Sequence, residues 1–296
     1  MKKSVSLLLA GLMLCGALTG CGGNNSTAEN TDSQTAESTT GTSGAIHVVS
    51  REDGSGTRGA FVELTGVEDD NGDNTTVEAE IANRTDAVLT TVAGNEAAIG
   101  YVSLGSLNDT VKAVTVDGVE ATVDNVKSGD YTLSRPFNIA TKGEPTGVAK
   151  DFINFIMSAD GQAIVGEDYI TVNDNAEAFT SDGSSGHITV GGSSSVSPVM
   201  EQLIEAYKAV NPNAQIDLQT SDSTSGMTGA MDGTFAIGMA SRELKDEEAA
   251  ELTGTAIALD GIAVIVNTAN TVDNLTMDQI RSIYVGETTD WADVAA

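Results

Sequence analysis

Three short loops of small residues hold the chemistry available to this chain. The first is Ser50-Arg51-Glu52-Asp53-Gly54-Ser55-Gly56-Thr57, continuing as Arg58-Gly59-Ala60-Phe61. The second is Gly191-Gly192-Ser193-Ser194-Ser195, ahead of a helical pattern that begins near Pro198. The third is Ser221-Asp222-Ser223-Thr224-Ser225-Gly226, followed by a helical pattern over Met227 to Met231. A helix N-terminus offers free backbone N–H groups and the positive end of a dipole. Glycine lets the backbone approach closely, and Ser and Thr hydroxyls add short donors. Any one of these loops, taken alone, is equally an ordinary cap or turn. The three together, with an arginine in one, favour a site for a tetrahedral anion. Arg51 would supply a fixed charge with a planar fork, and Asp53, two residues on, is expected to orient its guanidinium.

Other chemistries have little support. The two histidines, His47 and His187, each precede a β-branched pair at an expected strand start, which suits a structural role at a strand edge. There is no HExxH, no Cys/His metal spacing and no Walker loop, so no cofactor or metal is expected and no enzyme is read here. Carboxylates are numerous enough to hide a glycosidase pair, but aromatic residues for a sugar platform make up only 4% of the chain. With 14 Lys+Arg against 43 Asp+Glu, the formal charge is −29. A nucleic-acid partner would need a basic footprint that is missing. Such an acidic chain also stays off anionic membranes unless something anchors it.

The loops require strands and helices to aim them. His47-Val48-Val49 reads as a strand ending at the first loop, and Ala97 to Val102 as another. Ile188-Thr189-Val190 leads into the second loop, and Ile257 to Val266 is a long β-branched run suited to burial. Val148, Phe152, Phe155 and Ile156 share one helical face, as do Met200, Leu203, Ile204 and Tyr207. Pro198 suits the first turn of that second helix, with Ser197 as its expected N-cap. Alternating strands and helices predict an α/β fold with mostly parallel sheets. The polar stretch Asn173 to Gly186 reads as a linker or surface loop between two blocks.

The N-terminus reads as a targeting segment. Lys2 and Lys3 precede an apolar run from Leu7 to Leu18, too short to span a bilayer comfortably, which ends in Leu18-Thr19-Gly20-Cys21. That box resembles a bacterial lipobox, which implies residues 1–21 as a lipoprotein signal, lipidation at Cys21 and an extracytoplasmic, membrane-anchored protein. The only other cysteine, Cys15, lies inside the apolar run, so no disulfide is expected. Residues 22–45, rich in Gly, Asn, Ser, Thr, Ala and Glu, read as a disordered tether.

SREDGSGTRGAF, at Ser50 to Phe61, resembles the phosphate-loop signature of the periplasmic-type phosphate-binding proteins of ABC importers. AAIGYVSLG (Ala97 to Gly105) resembles the segment that follows it in that family, and ITVGGSSSVSPVMEQLIEAY (Ile188 to Tyr207) resembles the family's mature N-terminus. AIGMASRELKDEE, ALDGIAVIVN and LTMDQIRSIYVGETTDW, ending at Trp291, resemble the segments between those two. The resemblance covers about Ile46 to Val294, but in a different order: the later half comes first. This reads as a circular permutation, with the family's usual ends joined through about Asn173 to Gly186. A piece of a tandem array, or halves swapped between chains, would give the same order.

The resemblance implies a two-lobed, type II periplasmic-binding-protein-like α/β fold with the ligand in the cleft. One lobe would be 136–265 and the other 46–135 plus 266–296. Phosphate ligands carried over residue by residue are Arg51, Ser55, Gly56 and Thr57 from one lobe. Ser194, Ser195, Ser223 and Ser241 come from the other. Where some members have an Asp that accepts the proton of hydrogen phosphate, this chain has Ser241, so exclusion of sulfate by a carboxylate is not implied. The partners implied are inorganic phosphate and the permease subunits of an ABC importer. A surface adhesion or sensing protein that keeps the fold without transport is the alternative, and a phosphate-ester hydrolase is disfavoured by the lack of metal motifs.

Overall fold

The computed structural model describes residues 42–294; the signal segment, Cys21 and most of the expected tether lie outside the described residues. Strand β1 (His47–Arg51) leads to helix α1 (Gly56–Thr65). The hairpin β2 (Glu68–Asp69) and β3 (Gly72–Asp73) and strand β4 (Glu80–Ala82) precede helix α2 (Thr85–Gly94) and strand β5 (Ala98–Ser103). Short strands β6 (Val111–Ala113) and β7 (Thr115–Val116) and helix α3 (Val123–Ser128) follow. Strand β8 (Ser134–Thr141) then runs into helices α4 (Gly147–Ile156) and α5 (Ala159–Asp168). The second block holds β9 (Gly186–Ser193), α6 (Ser197–Val210), β10 (Ala214–Ser221), α7 (Ser223–Asp232) and β11 (Ile237–Ala240). Helix α8 (Asp246–Ala249), strands β12 (Thr253–Asn267) and β13 (Asn274–Leu275) and helix α9 (Met277–Tyr284) come last.

The strands hydrogen-bond in the order β10-β9-β11-β8-β12-β5-β1-β4, with β6 also on β12. The pairs β1–β4, β1–β5, β10–β9 and β11–β9 are parallel, as the alternating pattern predicts. The pairs that involve β8 and β12 are antiparallel, so the sheet is mixed rather than mostly parallel at its centre. The reason is that β8 and β12 connect the two halves. Strand β12 pairs with β8 up to Gly261 and with β5 from Ile262 onward. Pro136 sits in β8 opposite Leu259, and there the ladder needs no donor from it. Leu259 instead exchanges both backbone hydrogen bonds with Ile170, at 2.9 and 3.0 Å.

Two lobes follow from where the apolar residues pack. Val48, Phe61, Tyr101, Ile262, Val264, Ile280 and Trp291 share one core, beside a smaller cluster of Val49, Val88, Ala263 and Ile265. Phe137, Phe152, Val190, Leu203, Ile237 and Ile257 share the other. Going into β8, the change of core falls between Leu133 and Phe137. On β12 it falls between Ala258 and Ile262, so Ile262 to Ile265, expected with lobe 136–265, pack with the other lobe.

The polar stretch 173–186 has no regular structure up to Gly186, yet it is fastened along helices α4, α5 and α6. Phe179 packs edge-on against Phe155 at 5.2 Å, and its N–H donates to Asp160 at 2.7 Å. Buried Asp151 of α4 accepts from Ser181 Oγ (2.7 Å), the Asp182 N–H (3.0 Å), the Tyr207 hydroxyl (2.7 Å) and Asn211 Nδ2 (3.3 Å). Burial alone would raise this carboxyl; the four donors outweigh it and hold it below the ordinary Asp value. Asp151→Asn turns an amide toward groups that all donate, and is expected to cost about 2–4 kcal/mol in urea unfolding. Because the folded value is depressed, this stability is present above the unfolded Asp value and disappears as pH falls through the folded one. Residues 42–44, within the expected tether, are bound to the body. Thr42 exchanges hydrogen bonds with Thr271, and Gly44 O accepts from the Trp291 N–H at 3.0 Å.

Candidate functional site

The first loop is fixed from beneath by aromatic packing. The Phe61 and Tyr101 rings stack at 3.9 Å, and Tyr284 meets Phe61 edge-on at 4.7 Å. The Tyr101 oxygen accepts from the Arg51 N–H at 3.1 Å and lies 2.9 Å from Ser50 Oγ, while the Tyr284 hydroxyl donates to Val49 O at 3.2 Å. Burial pushes both phenols up, so they stay neutral. The end of β1 is thereby pinned where Arg51 leaves it.

The Arg51 side chain is 2% exposed. Its Nε and Nη2 grip the two Glu52 oxygens at 2.7 Å each, Nη1 donates to Thr85 Oγ1 at 3.2 Å, and Nη2 donates to Ser194 Oγ at 3.0 Å. The orienting carboxylate is therefore Glu52 rather than Asp53. The Ser55 N–H donates to Glu52 O at 3.2 Å, closing a turn with Asp53 and Gly54 at its corners, and Gly54 has φ +86°. A corner side chain points outward, and Asp53 is fully exposed, 3.4 Å from Arg58.

Each loop ends in a helix start of its own kind. Ser55 caps α1, accepting from the Arg58 N–H at 3.3 Å, and Asp222 caps α7, accepting from the Ser225 N–H at 2.8 Å. Helix α6 differs from expectation: Val196 holds the N-cap position, with no side-chain cap bond. Ser197 lies inside the helix, where its hydroxyl donates to Ser193 O at 3.2 Å and meets Thr220 Oγ1 at 2.9 Å.

The three loops converge. Thr57 Oγ1 is 2.8 Å from Ser195 Oγ and 3.3 Å from Ser241 Oγ. The Ser241 N–H donates to Ser223 Oγ at 3.0 Å, and the Thr224 N–H donates across to Gly54 O at 3.1 Å. Gly56 lies against Ser223 and Ser241 with no room for a Cβ. Arg51, Ser55, Gly56 and Thr57 thus meet Ser194, Ser195, Ser223 and Ser241 in one buried cluster. The sequence reading missed four members. Glu52 and Ser193 lie within the loops it singled out. Thr85 opens α2, a fourth helix start behind Arg51, and is legible as such only once β4 is placed. Arg135, on β8, has no local signal at all.

The direction of the hydrogen bonds gives this cluster its chemistry. Arginine and backbone N–H groups donate and never accept. Ser55, Ser194, Ser223, Thr85 and Thr57 each accept from such a group: the Arg58 N–H, Arg51 Nη2, the Ser241 N–H, Arg51 Nη1 and Arg135 Nη2. Ser193 Oγ accepts from the Ser195 N–H at 3.3 Å. Each of these hydroxyls keeps its own proton to donate, and Ser193 gives its proton to Ser241 Oγ at 3.0 Å. Glu52 is occupied by Arg51, and Asp260 sits behind Arg135. The assembled surface is one of donors and positive charge, suited to an oxyanion. The histidines lie apart from it, each with a carboxylate: His47 Nε2 is 2.8 Å from Glu80, and His187 Nε2 is 2.8 Å from Asp217.

Two lobes linked by crossing strands, with donors from both meeting between them, define a receptor-like architecture. The chain belongs to the PBP superfamily, whose domain matches residues 25–160 and 177–296. More particularly, it is similar to "Phosphate-binding protein PstS 2" of Streptococcus agalactiae, with 47% identity over 99% of this chain and 98% of that protein. It is similar, too, to the crystal structure of a phosphate ABC transporter, phosphate-binding protein from Streptococcus pneumoniae TIGR4. There the identity is 46% and the TM-score 0.69, over 85% of this chain and all of that one. Against "Phosphate-binding protein PstS" of Bacillus subtilis, the match is 36% identity over 44% of this chain and 42% of that protein.

Proposed function

We propose that this protein captures inorganic phosphate between its two lobes and delivers it to the permease of an ABC importer. It acts from the outer face of the membrane, anchored through a lipid on Cys21. The observation that carries this reading is the meeting of Arg51 and Thr57 with Ser194, Ser195, Ser223 and Ser241 in one buried cluster of hydroxyls and a guanidinium drawn from both lobes. The names of the relatives at 46–47% identity support the same ligand and the same transporter class. The lipobox supports the anchor.

Ligand binding favours the closed arrangement, and the permease reads that closure; β8 and β12 are the hinge. The lobes are those of the sequence reading, 46–135 plus 266–296 and 136–265, with the boundary on β12 moved to about Asp260. The segment order is a circular permutation within one chain. Two contacts support it. Thr289 to Trp291, which in the resembled family leads toward the SRED strand, is hydrogen-bonded to Gly44 and Ile46 just before that strand. The stretch 173–186 forms a fastened strap between the blocks it would join. The partial match to the Bacillus subtilis protein is what a different segment order produces.

The test is uptake of radiolabelled phosphate at limiting concentration, in a strain lacking its other phosphate importers. Deleting this gene is expected to abolish uptake, wild type to restore it, and Cys21→Ser to release the protein from the membrane. Unchanged uptake in the deletion strain would contradict the transport role.

A further inference from the structure

Among the described residues, Arg135 is the one buried cation at the cluster that lies outside the three loops. It is 3% exposed and stands on β8 at the crossing with β12, beside its own counter-charge: Nη1 is 2.7 Å from Asp260, which is 1% exposed. The remaining donors are directed as well. Nη1 donates to Gly261 O at 3.0 Å, Nε to Ser241 O at 3.3 Å, and Nη2 to Thr57 Oγ1 at 3.0 Å. The Phe137 ring lies 5.3 Å beneath the guanidinium carbon. The charged and titratable groups that face it are Asp260 of β12, Tyr169 after α5, and Arg51 at the end of β1. Two buried guanidinium groups thus reach the same hydroxyl cluster, Arg51 at Thr85 and Ser194 and Arg135 at Thr57, and each repels the other.

The bond to Thr57 matters most. A guanidinium has no acceptor, so Thr57 Oγ1 must be the acceptor in that pair, and the Thr57 proton is left to point into the cluster. Thr57 comes from one lobe's loop, and Ser195 and Ser241, which it faces, come from the other. We propose that Arg135 is a positioning residue for the anion. Clamped by Asp260 at the strand crossing, it holds the Thr57 hydroxyl as a donor to the bound phosphate and adds a second positive charge to a site that lacks a carboxylate acceptor. This rests on the phosphate reading above.

A double-mutant cycle on the purified protein, read by calorimetric titration with inorganic phosphate, tests it. Removing Arg135 alone strands a buried carboxylate, so one leg of the cycle is the paired change Arg135→Met with Asp260→Asn, and the other is Thr57→Val. Each leg is expected to weaken phosphate binding at least tenfold. The combination is expected to be little worse than the weaker-binding leg, because both remove the same donor. Arg135→Lys, which keeps a charge and a donor, is expected to bind within about tenfold of wild type. Thermal unfolding without phosphate checks that each variant folds; if the paired change does not, Arg135→Leu with Asp260→Asn takes its place in the cycle. Wild-type affinity in the paired variant, or losses that multiply in the combination, would overturn the proposal. Failure of the wild type to bind phosphate would instead overturn the functional reading beneath it.

Discussion

Replacing Arg51 with Met is expected to weaken phosphate binding by about 10²–10³-fold, the range for losing a buried, hydrogen-bonded charge from a binding site. The guanidinium is almost wholly buried, and Glu52 sets its plane through two 2.7 Å bonds. That fork leaves the remaining N–H groups aimed at Thr85 and Ser194. Met fills the same volume but leaves the Ser194 and Thr85 hydroxyls without their donors and Glu52 without its partner. Arg51→Lys is expected to recover only part of the loss, since an ammonium cannot grip Glu52 with two parallel bonds while reaching the hydroxyls. Calorimetric titration of the three proteins checks this. A Lys variant equal to wild type would show that the charge alone matters and the fork does not.

Gly56→Ala is expected to cut phosphate affinity at least about 100-fold while leaving the ligand-free protein as stable as wild type or slightly more so. The two effects separate because the obstacle is between lobes. Gly56 is the first residue of α1 and has an ordinary backbone conformation, where Ala gains up to about 1 kcal/mol of helix propensity over Gly. In the closed arrangement, however, its Cβ would collide with Ser223 Oγ and come within 2.9 Å of Ser241 Oγ and 3.0 Å of the Arg242 Cγ. Ser223 and Ser241 are buried site residues, and Arg242 is held by two bonds to Glu248, at 2.7 and 2.8 Å. None can retreat cheaply, so the lobes must stay apart. Thermal melting with and without phosphate is the measurement. Equal ligand-induced shifts in Gly56→Ala and wild type would show that closure does not bring Gly56 against Ser223.

Much of the site is legible from the chain because its parts are contiguous. Arg51 and the Ser55-Gly56-Thr57 triplet lie on one turn and one helix start, and small-residue loops ahead of helices are a local signal. What is not legible depends on direction or on distance. Glu52 and Asp53 are equally near Arg51 in sequence; only the turn at Asp53-Gly54 decides which carboxylate folds back. Ser197 and Val196 are neighbours at a helix start, and the hydroxyl of Ser193 comes to lie on the cluster because β9 extends through it. Thr85 and Arg135 reach the cluster only through sheet order, since β4 lies beside β1 and β8 beside β12. The boundary on β12 is hidden for a similar reason. Its β-branched run is buried on both sides of Asp260, so hydropathy does not mark where one core gives way to the other.

The high acidic charge of the chain does not oppose an anion ligand. Screening limits the reach of surface charge to about 8 Å at physiological salt, whereas the donors act at contact, about 3 Å. Three carboxylates beside the cluster are tied to arginines, Glu52 to Arg51, Asp260 to Arg135 and Glu248 to Arg242, while Asp222 accepts from Ser225 at the start of α7. Burial raises the Asp260 carboxyl to about 6, against the pull of Arg135.

Titration of the purified monomer with inorganic phosphate in a calorimeter tests the donor cluster most directly. The expected result is saturable binding of one phosphate per chain, lost in Arg51→Met and in Gly56→Ala. Absence of binding heat and of any thermal shift with phosphate, or binding that survives both substitutions, would contradict it.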